Sequence, residues 1–377
     1  MSIPPYAYAL RLINRMYVSH LSLTDFRSYP SLELQLQPGQ NIFVGENGEG
    51  KTNIIEALMY LALLSSHRIS SDQPLVRLST ERAYIRAKIE STERTTLVEL
   101  EINTNKANRA KVNQNPVRSQ KELLGIVKSV CFSPEDLDLV RGDPSERRSF
   151  LDQLLIQRSP RLAGVITDYD RALKQRNSLL KSRATQNSLE PWNEHLANFG
   201  GEVIAGRLKL IEEIEALFQD AYKNLSDKKQ AALGYKSSIS SPTSNKDDNR
   251  AKILATINEI NNQERERGIS LVGPHRDDLL LNLGDYPVKG YASHGESWSI
   301  ALALRLASYQ LFINDGEKPI LILDDVFSEL DESRRAKLVA ISSAAEQTFI
   351  TVAVESDLPS EISGAKFMVT SGKVKSV

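Results

Sequence analysis

The sequence predicts an α/β fold in two lobes: a sheet-rich lobe built from both ends of the chain, and a mainly helical lobe with a short coiled-coil-like arm. Alternating apolar and polar residues predict strands over 16–44 and an antiparallel β subdomain over 83–117. A charge-rich helical pattern follows from 145 to about 229, and four apolar residues in a row at 320–323 indicate a strand buried on both faces. The expected parts are an N-terminal extension at 1–15, the first lobe at 16–144 and 269–377, and the helical lobe at 145–268.

The composition limits where function can lie. The 377 residues include 47 Lys and Arg against 48 Asp and Glu, so a nucleic-acid site would have to be a local basic patch. Cys131 is the only cysteine, which excludes an intramolecular disulfide and fits a reducing compartment. No apolar run approaches the ~18 residues that a membrane span needs. We therefore expect a cytoplasmic protein with no membrane partner.

A glycine-rich loop between a short apolar strand (41–44) and a helix (51–64) carries the first chemical motif. It fits the G-x-x-x-x-G-K-[ST] pattern of P-loops with Gly45-Glu46-Asn47-Gly48-Glu49-Gly50-Lys51-Thr52. Glycines let backbone N–H groups close around phosphate, Lys51 would reach the β- and γ-phosphates, and the Thr52 hydroxyl would hold Mg²⁺. Together with Asn53, these residues form the predicted nucleotide-binding set.

The apolar strand at 320–323 ends in two carboxylates, as in a Walker B motif. Asp324 is predicted to bind Mg²⁺, and Asp325 is predicted to polarise the attacking water as general base, with Lys51 as the second catalytic residue. Two adjacent carboxylates after such a strand are costly unless a cation lies beside them. Many NTPases share these two motifs, so a third is needed to narrow the class.

That third motif, Ser293-His294-Gly295-Glu296, begins a predicted helix between the P-loop and the Walker B strand. It resembles the S-x-G-[QE] signature of ABC ATPases, where Ser293, Gly295 and Glu296 would act on a γ-phosphate; alternatively, Ser293 is an ordinary helix N-cap. Ser328 and Asp331 match the D-loop. The resemblance implies an ABC-type ATPase head whose signature caps ATP held by a second copy, in an ATP-dependent head-to-tail homodimer.

Three further stretches resemble the RecF family, recombination-repair ATPases related to the SMC heads, over residues 16 to about 370. They are 23–29 (LTDFRSY), 134–152 (PEDLDLVRGDPSERRSFLD) and 273–278 (GPHRDD). The resemblance implies a nucleoid-associated protein of DNA replication, recombination, DNA-damage repair and the SOS response. It also implies slow DNA-stimulated ATP hydrolysis with Mg²⁺, binding to double-stranded and gapped DNA, and action with RecR and RecO to load RecA.

Two local basic patches are the candidate DNA contacts. A predicted β-hairpin over 106–121 has five basic residues and no acidic one: Lys106, Arg109, Lys111, Arg118 and Lys121. Arg147 and Arg148 begin the helical arm, where further basic residues follow. Either patch is alternatively a solvated surface. Because no base-reading element is visible, we expect binding that is largely independent of DNA sequence.

Several assignments remain open. A transporter's nucleotide-binding subunit and a non-enzymatic ATP-binding scaffold are the alternative functions. A GTPase is disfavoured, because the N-K-x-D pattern at 245–248 follows a polar stretch and no strand. The Q-loop is assigned to 132–136 or to Gln73, and Thr351 lies nearest the switch position. His275 either approaches the nucleotide or fixes a turn, and Trp298 is interpreted as a core residue.

Overall fold

The computed structural model describes residues 16–66, 68–69, 71–92, 94–226 and 229–377, so the predicted N-terminal extension at 1–15 lies outside the described residues. Within those ranges the chain divides into two compact units. The sheet unit comprises the chain up to Pro134 and from Ser308 onwards, and the helical unit comprises Glu135–Ala307. In this described part of the chain, no helix is both long and apolar enough to cross a lipid bilayer.

The described residues form the following strands and helices, each type numbered in chain order. The strands are β1 (Met16–Phe26), β2 (Tyr29–Gln35), β3 (Gly39–Val44), β4 (Arg82–Ser91), β5 (Thr95–Asn103), β6 (Arg109–Val112), β7 (Asn115–Pro116), β8 (Ser129–Phe132), β9 (Ala231–Lys236), β10 (Asp278–Leu283), β11 (Tyr286–Pro287), β12 (Ile320–Asp324), β13 (Gln347–Val352), β14 (Ala365–Thr370) and β15 (Lys373–Ser376). The α-helices are α1 (Lys51–Leu63), α2 (Leu137–Arg141), α3 (Pro144–Arg158), α4 (Leu162–Lys181), α5 (Gln186–Leu225), α6 (Lys246–Arg267), α7 (His294–Asn314) and α8 (Glu332–Ala344).

A mainly parallel sheet in the sheet unit positions the P-loop. Its strand order is β15-β14-β3-β13-β12-β8, and only the β14–β15 pair is antiparallel among its described strands. Every residue of β12 is buried, as the four apolar residues predicted. Parallel strands present their carboxyl ends at one edge of a sheet. The loop after β3 and the carboxylates at the end of β12 therefore leave the sheet at the same edge, with β13 between their strands.

The predicted antiparallel subdomain is the other sheet of this unit, with strand order β2-β1-β4-β5-β6-β7. Its period-two alternation turns one face inwards: Leu23, Ile85, Leu100 and Ala110 are buried in one row across four strands. Helix α1 shares a hydrophobic core with both sheets. The helix is buried on nearly all sides because both sheets pack against it.

The helical unit is built from helices α2 to α6, a small sheet of order β11-β10-β9 and the first part of α7. Gly200 and Gly201 lie inside the continuous helix α5, although adjacent glycines usually mark a break in a helical pattern. A Cβ at Gly201 would lie 2.5 Å from Lys246 O and 2.8 Å from Arg250 N. Glycine is therefore needed here because α6 crosses α5 at close range, which a pattern of local punctuation does not reveal.

The helical unit differs from the predicted helical lobe in extent. Its ends lie at Glu135 and Ala307, whereas the sequence placed the boundaries after 144 and after 268. Two long-range links explain the later C-terminal boundary: β10 pairs with β9, and the Arg147 guanidinium binds the Asp278 carboxylate. Both links join residues after 268 to the helical unit. The lobe boundaries placed from the sequence stay a prediction.

The polar stretch 237–249 ends in the first residues of α6 and is held by side-chain hydrogen bonds. Asn245 caps α6 by accepting hydrogen bonds from the N–H groups of Asp247 and Asp248, so the helix begins at Lys246. The same cap explains the N-K-x-D pattern without a guanine site. Before it, the Ser238 N–H donates to the Asp277 carboxylate, which ties the loop to the start of β10.

Candidate nucleotide-binding site

The loop after β3 has the backbone of a phosphate-binding loop. Gly48 and Gly50 adopt φ angles of 88° and 109°, a region that favours glycine. A Cβ at Gly45 would lie 2.2 Å from Val369 O, so any side chain there would clash with β14. The exposed part of the loop is Glu46, Asn47 and Gly48. The glycines therefore serve both the turn and its close approach to β14.

Lys51, the first residue of α1, is buried beneath this loop with 5% of its surface exposed. Its Nζ donates to the carbonyl oxygens of Gly45, at 2.5 Å, and Glu46, at 3.1 Å. Burial lowers the pKa of Lys51, while the negative charges of Asp325 and Asp324 act in the opposite direction. The Lys51 ammonium is therefore held at the loop, with both Walker B carboxylates close enough to act on its charge.

Other predicted nucleotide-binding side chains contact the protein around the loop. The Glu49 carboxylate accepts a hydrogen bond from the Ser371 N–H. The Asn53 Nδ2 donates to Ser28 Oγ at 2.9 Å. Thr52 is half-buried beside Lys51 at the start of α1. The contacts of Glu49 and Asn53 hold the loop in place, and their direct role towards a nucleotide stays a prediction.

The two Walker B residues share one neighbour, Thr351 of β13. Asp324 ends β12 with 4% of its surface exposed and is paired in register with Thr351. The Thr351 Oγ1 donates to Asp324 Oδ1 at 2.5 Å and accepts from the Asp325 N–H at 3.0 Å. Asp325 adopts a φ of 55°, which is uncommon for a residue other than glycine. The predicted general base therefore lies in a tight left-handed turn directly after the predicted metal ligand.

The residues at this sheet edge fit a nucleotide bound with Mg²⁺. The described residues contain no cluster of three or more His, Cys, Asp or Glu that would form an all-protein metal site. Mg²⁺ is commonly held by one or two carboxylates together with substrate phosphates and water. Thr52 and Asp324 are the predicted ligands, and they lie at the ends of neighbouring elements around the glycine loop. Mg²⁺ at this site would therefore need phosphate oxygens as ligands in addition to Thr52 and Asp324.

The predicted signature begins α7 in the helical unit. Ser293 Oγ accepts from the Glu296 N–H at 3.2 Å, and Glu296 Oε2 accepts from the Ser293 N–H at 2.9 Å, which is a capping box. Lys229 Nζ donates to Glu296 Oε1 at 2.8 Å. This contact, with the bonds from Ser293, lowers the pKa of Glu296 to about 2. Ser293 is thus a helix N-cap, and its exposed position is also compatible with the predicted signature role.

The D-loop residues follow Asp325 in the sheet unit. Ser328 Oγ donates to Asp325 O at 3.1 Å, and Asp331 caps α8 by accepting from the Arg334 N–H at 2.9 Å. Both side chains are exposed. The Ser328 contact joins the D-loop directly to the turn that holds the predicted general base.

Comparison with known proteins identifies the family. The model of the RecF/RecN/SMC N-terminal domain matches residues 17–373. The DNA replication and repair protein RecF of Streptomyces avermitilis is 50% identical over 373 residues, covering 96% of this chain and 100% of the relative. The RecF protein of Kineococcus radiotolerans is also 50% identical, over 387 residues, covering 95% of this chain and 98% of the relative. This chain belongs to the RecF family.

Solved structures confirm the RecF fold. A structure described as the recombination mediator protein RecF with ATP, in the RecFOR pathway, matches with a TM-score of 0.88 and 29% identity, covering 96% of this chain and 98% of that one. An Smc head domain from Pyrococcus furiosus matches with a TM-score of 0.55 and 16% identity over 96% of each chain, which supports the shared fold alone. The prediction of an ABC-type ATPase head with an antiparallel subdomain is confirmed.

The basic hairpin predicted to contact DNA is present in this RecF chain. Arg109 and Lys111 are exposed on β6, Lys106 is exposed in the turn before it, and Arg118 is exposed after β7. Lys111 is not free, because its Nζ lies 3.0 Å from Glu99 Oε1. The hairpin thus presents cations to solvent, but with partial compensation by acidic residues on the neighbouring strand.

The arginines at the start of the RecF helical arm are held inside the fold. Arg147 is 5% exposed and donates to both carboxylate oxygens of Asp278, at 2.8 and 2.9 Å. Arg148 is half-buried and donates to Asp277 O at 2.9 Å. These contacts bury Arg147 and occupy Arg148, so a role of either arginine in DNA binding stays a prediction. The two family-specific stretches at 134–152 and 273–278 therefore bind each other.

His275 and Trp298 have structural roles in this RecF chain. His275 Nδ1 lies 2.6 Å from Tyr169 Oη, and Nε2 lies 3.2 Å from Ser270 O, contacts that fix the turn before β10. Burial lowers the pKa of His275 to about 4. Trp298 is buried, as predicted, although its Nε1 has no hydrogen-bond partner among the described residues. The turn-fixing interpretation of His275 is the one its contacts support.

Sequence reasoning missed two residues that bear on the RecF site. Thr351 was noted only as the nearest residue to the switch position, and its two bonds to the Walker B pair depend on the register of β12 and β13. Lys229 was not singled out, because its partner Glu296 is 67 residues away in the sequence. A strand-pairing prediction would have found Thr351, whereas no local pattern marks Lys229.

Proposed function

We propose that this chain is an ATP-dependent DNA-binding protein of recombinational repair, and that two copies close on DNA when each holds ATP. The observation that carries the proposal is Lys51, buried under the glycine loop and within electrostatic range of Asp324 and Asp325. That arrangement provides a cation for the β- and γ-phosphates and two carboxylates for metal and water. The ATP named in the description of the solved RecF structure supports the same ligand.

Each residue of the proposed site has a separate task. Lys51 would exchange its bonds with the loop carbonyls for bonds to phosphate oxygens, and backbone N–H groups of 45–50 would surround the same phosphates. Bound Mg²⁺, held by Thr52 and Asp324, would neutralise phosphate charge. Asp325 would accept a proton from the attacking water as general base. The signature residues Ser293, Gly295 and Glu296 would complete the site on a second copy.

The partners we propose are double-stranded and gapped DNA, a second copy of this chain, and RecR and RecO acting before RecA. The RecFOR pathway named for the solved relative supports RecR and RecO as partners. The exposed cations Lys106, Arg109 and Arg118 support a DNA surface on the β6–β7 hairpin, and Arg147 is left out of it. Binding should depend mainly on phosphate contacts and therefore weaken with salt. The proposed location is the cytoplasm, at the nucleoid.

ATP hydrolysis measured against protein concentration, with and without gapped DNA, tests this proposal. We expect weak activity per subunit that rises with protein concentration, because the site needs two copies, and rises further with gapped DNA. Activity per subunit that is independent of concentration would contradict the shared site. Activity that ignores DNA would contradict DNA coupling, and an absence of ATPase alongside tight ATP binding would favour the scaffold alternative.

A further inference from the structure

Among the described hydrogen bonds, Thr351 is the only residue of β13 that contacts both Asp324 and Asp325. It is fully buried, and strand register places it directly opposite Asp324. Its hydroxyl donates to the Asp324 side chain at 2.5 Å and accepts from the Asp325 backbone N–H at 3.0 Å. One hydroxyl group thus joins the carboxylate of one residue to the backbone of the next.

This double contact has a consequence for the left-handed turn at Asp325. Besides the hydroxyl, the Asp325 N–H meets only the longer bond to Thr351 O, at 3.3 Å, among the described contacts. A left-handed conformation persists at a non-glycine residue when the surrounding structure holds it. Without the hydroxyl, the Asp324 carboxylate would lose a hydrogen-bond donor, and the Asp325 N–H would lose the nearer of its two acceptors.

We propose that Thr351 is a positioning residue that fixes the predicted metal ligand Asp324 and the predicted general base Asp325 relative to each other. Metal binding and water activation then depend on the same hydroxyl group. This inference rests on the proposed ATPase function. Thr351, the residue nearest the predicted switch position, would thus position the two Walker B residues.

Three variants separate this role from a general effect on folding. Thr351→Val keeps the shape of the side chain and loses the hydroxyl, and Thr351→Ser keeps the hydroxyl. Thr348→Val is the matched control: Thr348 lies on the same strand, is also fully buried, and donates to Ser342 O at 3.0 Å, away from the carboxylates. Thermal unfolding of all three shows whether each variant is folded and by how much it is destabilised.

The decisive readouts are binding of a fluorescent ATP analogue, with EDTA and with Mg²⁺, and the steady-state ATPase rate. For Thr351→Val we expect unchanged binding in EDTA, a several-fold weaker gain from Mg²⁺, and an ATPase rate at least roughly tenfold lower, as expected for a displaced general base. Thr351→Ser should behave like the wild type in both assays. Thr348→Val should do the same even if its melting temperature falls.

Two results would overturn the inference: a Thr351→Val protein that matches Thr348→Val in Mg²⁺-dependent binding, or a Thr351→Ser protein as impaired as the valine variant. Failure of the proposed function looks different. In that case the wild type itself would show no Mg²⁺-dependent ATP binding. A wild type that binds and hydrolyses ATP beside an unimpaired Thr351→Val protein would remove the inference and leave the proposed function standing.

Discussion

Arg147 and Asp278 form a buried ion pair in which the guanidinium donates from Nε and Nη2 to both carboxylate oxygens, at 2.8 and 2.9 Å. The pair joins two family-specific stretches that are 131 residues apart in the sequence. A second group of bonds runs from Arg147 Nη1 to the carbonyl oxygens of Leu139 and Gly142. Arg147 therefore organises the helical unit, and we expect it to make no contact with DNA.

Loss of this pair should destabilise the protein without changing its DNA contacts. Arg147→Met leaves the nearly buried Asp278 carboxylate without its cation, so the free energy of unfolding should fall by about 3 kcal/mol. Urea unfolding measures this loss. Arg171→Met is the control, because Arg171 is 70% exposed beside Asp168, and it should cost less than about 1 kcal/mol. Equal losses in the two variants, or weaker DNA binding by folded Arg147→Met, would contradict the assignment.

If Asp325 is the general base, replacing it should trap the ATP-bound dimer. Asp325→Asn removes the proton acceptor but keeps the size of the side chain, so ATP binding should persist while hydrolysis falls by roughly 10²-fold or more. Sedimentation with ATP should then show a longer-lived dimer than the wild type forms. If Asp325→Asn hydrolyses ATP at the wild-type rate, another group is the base.

The half-buried His275 predicts a loss of stability in mild acid. Its pKa is lowered from 6.5 to about 4, so its contribution is complete above pH 6.5 and is lost as the pH falls towards 4. At ~1.4 kcal/mol per pKa unit, the loss amounts to about 3 kcal/mol. Urea unfolding at several pH values should show a shallower decline for His275→Gln than for the wild type. The exposed His195, changed to Gln, should leave the wild-type decline intact, and an unchanged decline in His275→Gln would refute the prediction.

The β6–β7 hairpin predicts a specific change in salt dependence. A double variant, Arg109→Ala with Arg118→Ala, should weaken binding to duplex DNA and reduce the slope of log K against log salt by about 2. Lys373→Ala with Lys375→Ala removes two exposed cations from β15 of the same unit and serves as the control. If the control pair changes the slope as much as the hairpin pair, the DNA surface lies elsewhere.

The sequence predicted those parts of the fold that depend on local pattern. The strand and helix on either side of the glycine loop, the strand before Asp324 and the alternating strands of the antiparallel sheet follow from contiguous residues, and the structure confirms those elements. It could not predict what depends on distant contacts. Gly201 reads as a helix interruption until α6 is seen against it, and Arg147 reads as a surface cation until Asp278 is placed beside it. That Thr351 lies opposite Asp324 follows from the pairing register of β12 and β13, which the sequence does not show.

We propose that each ATP site is shared between two copies of the chain. Mixing two inactive variants tests it most directly: Lys51→Met, which lacks the phosphate-binding ammonium, and Ser293→Arg, which blocks the signature. A mixed dimer would contain one complete site, with Lys51 from one copy and Ser293 from the other. We predict that ATPase activity appears on mixing and is absent from each variant alone. A mixture no more active than the sum of its separate components would contradict the shared site.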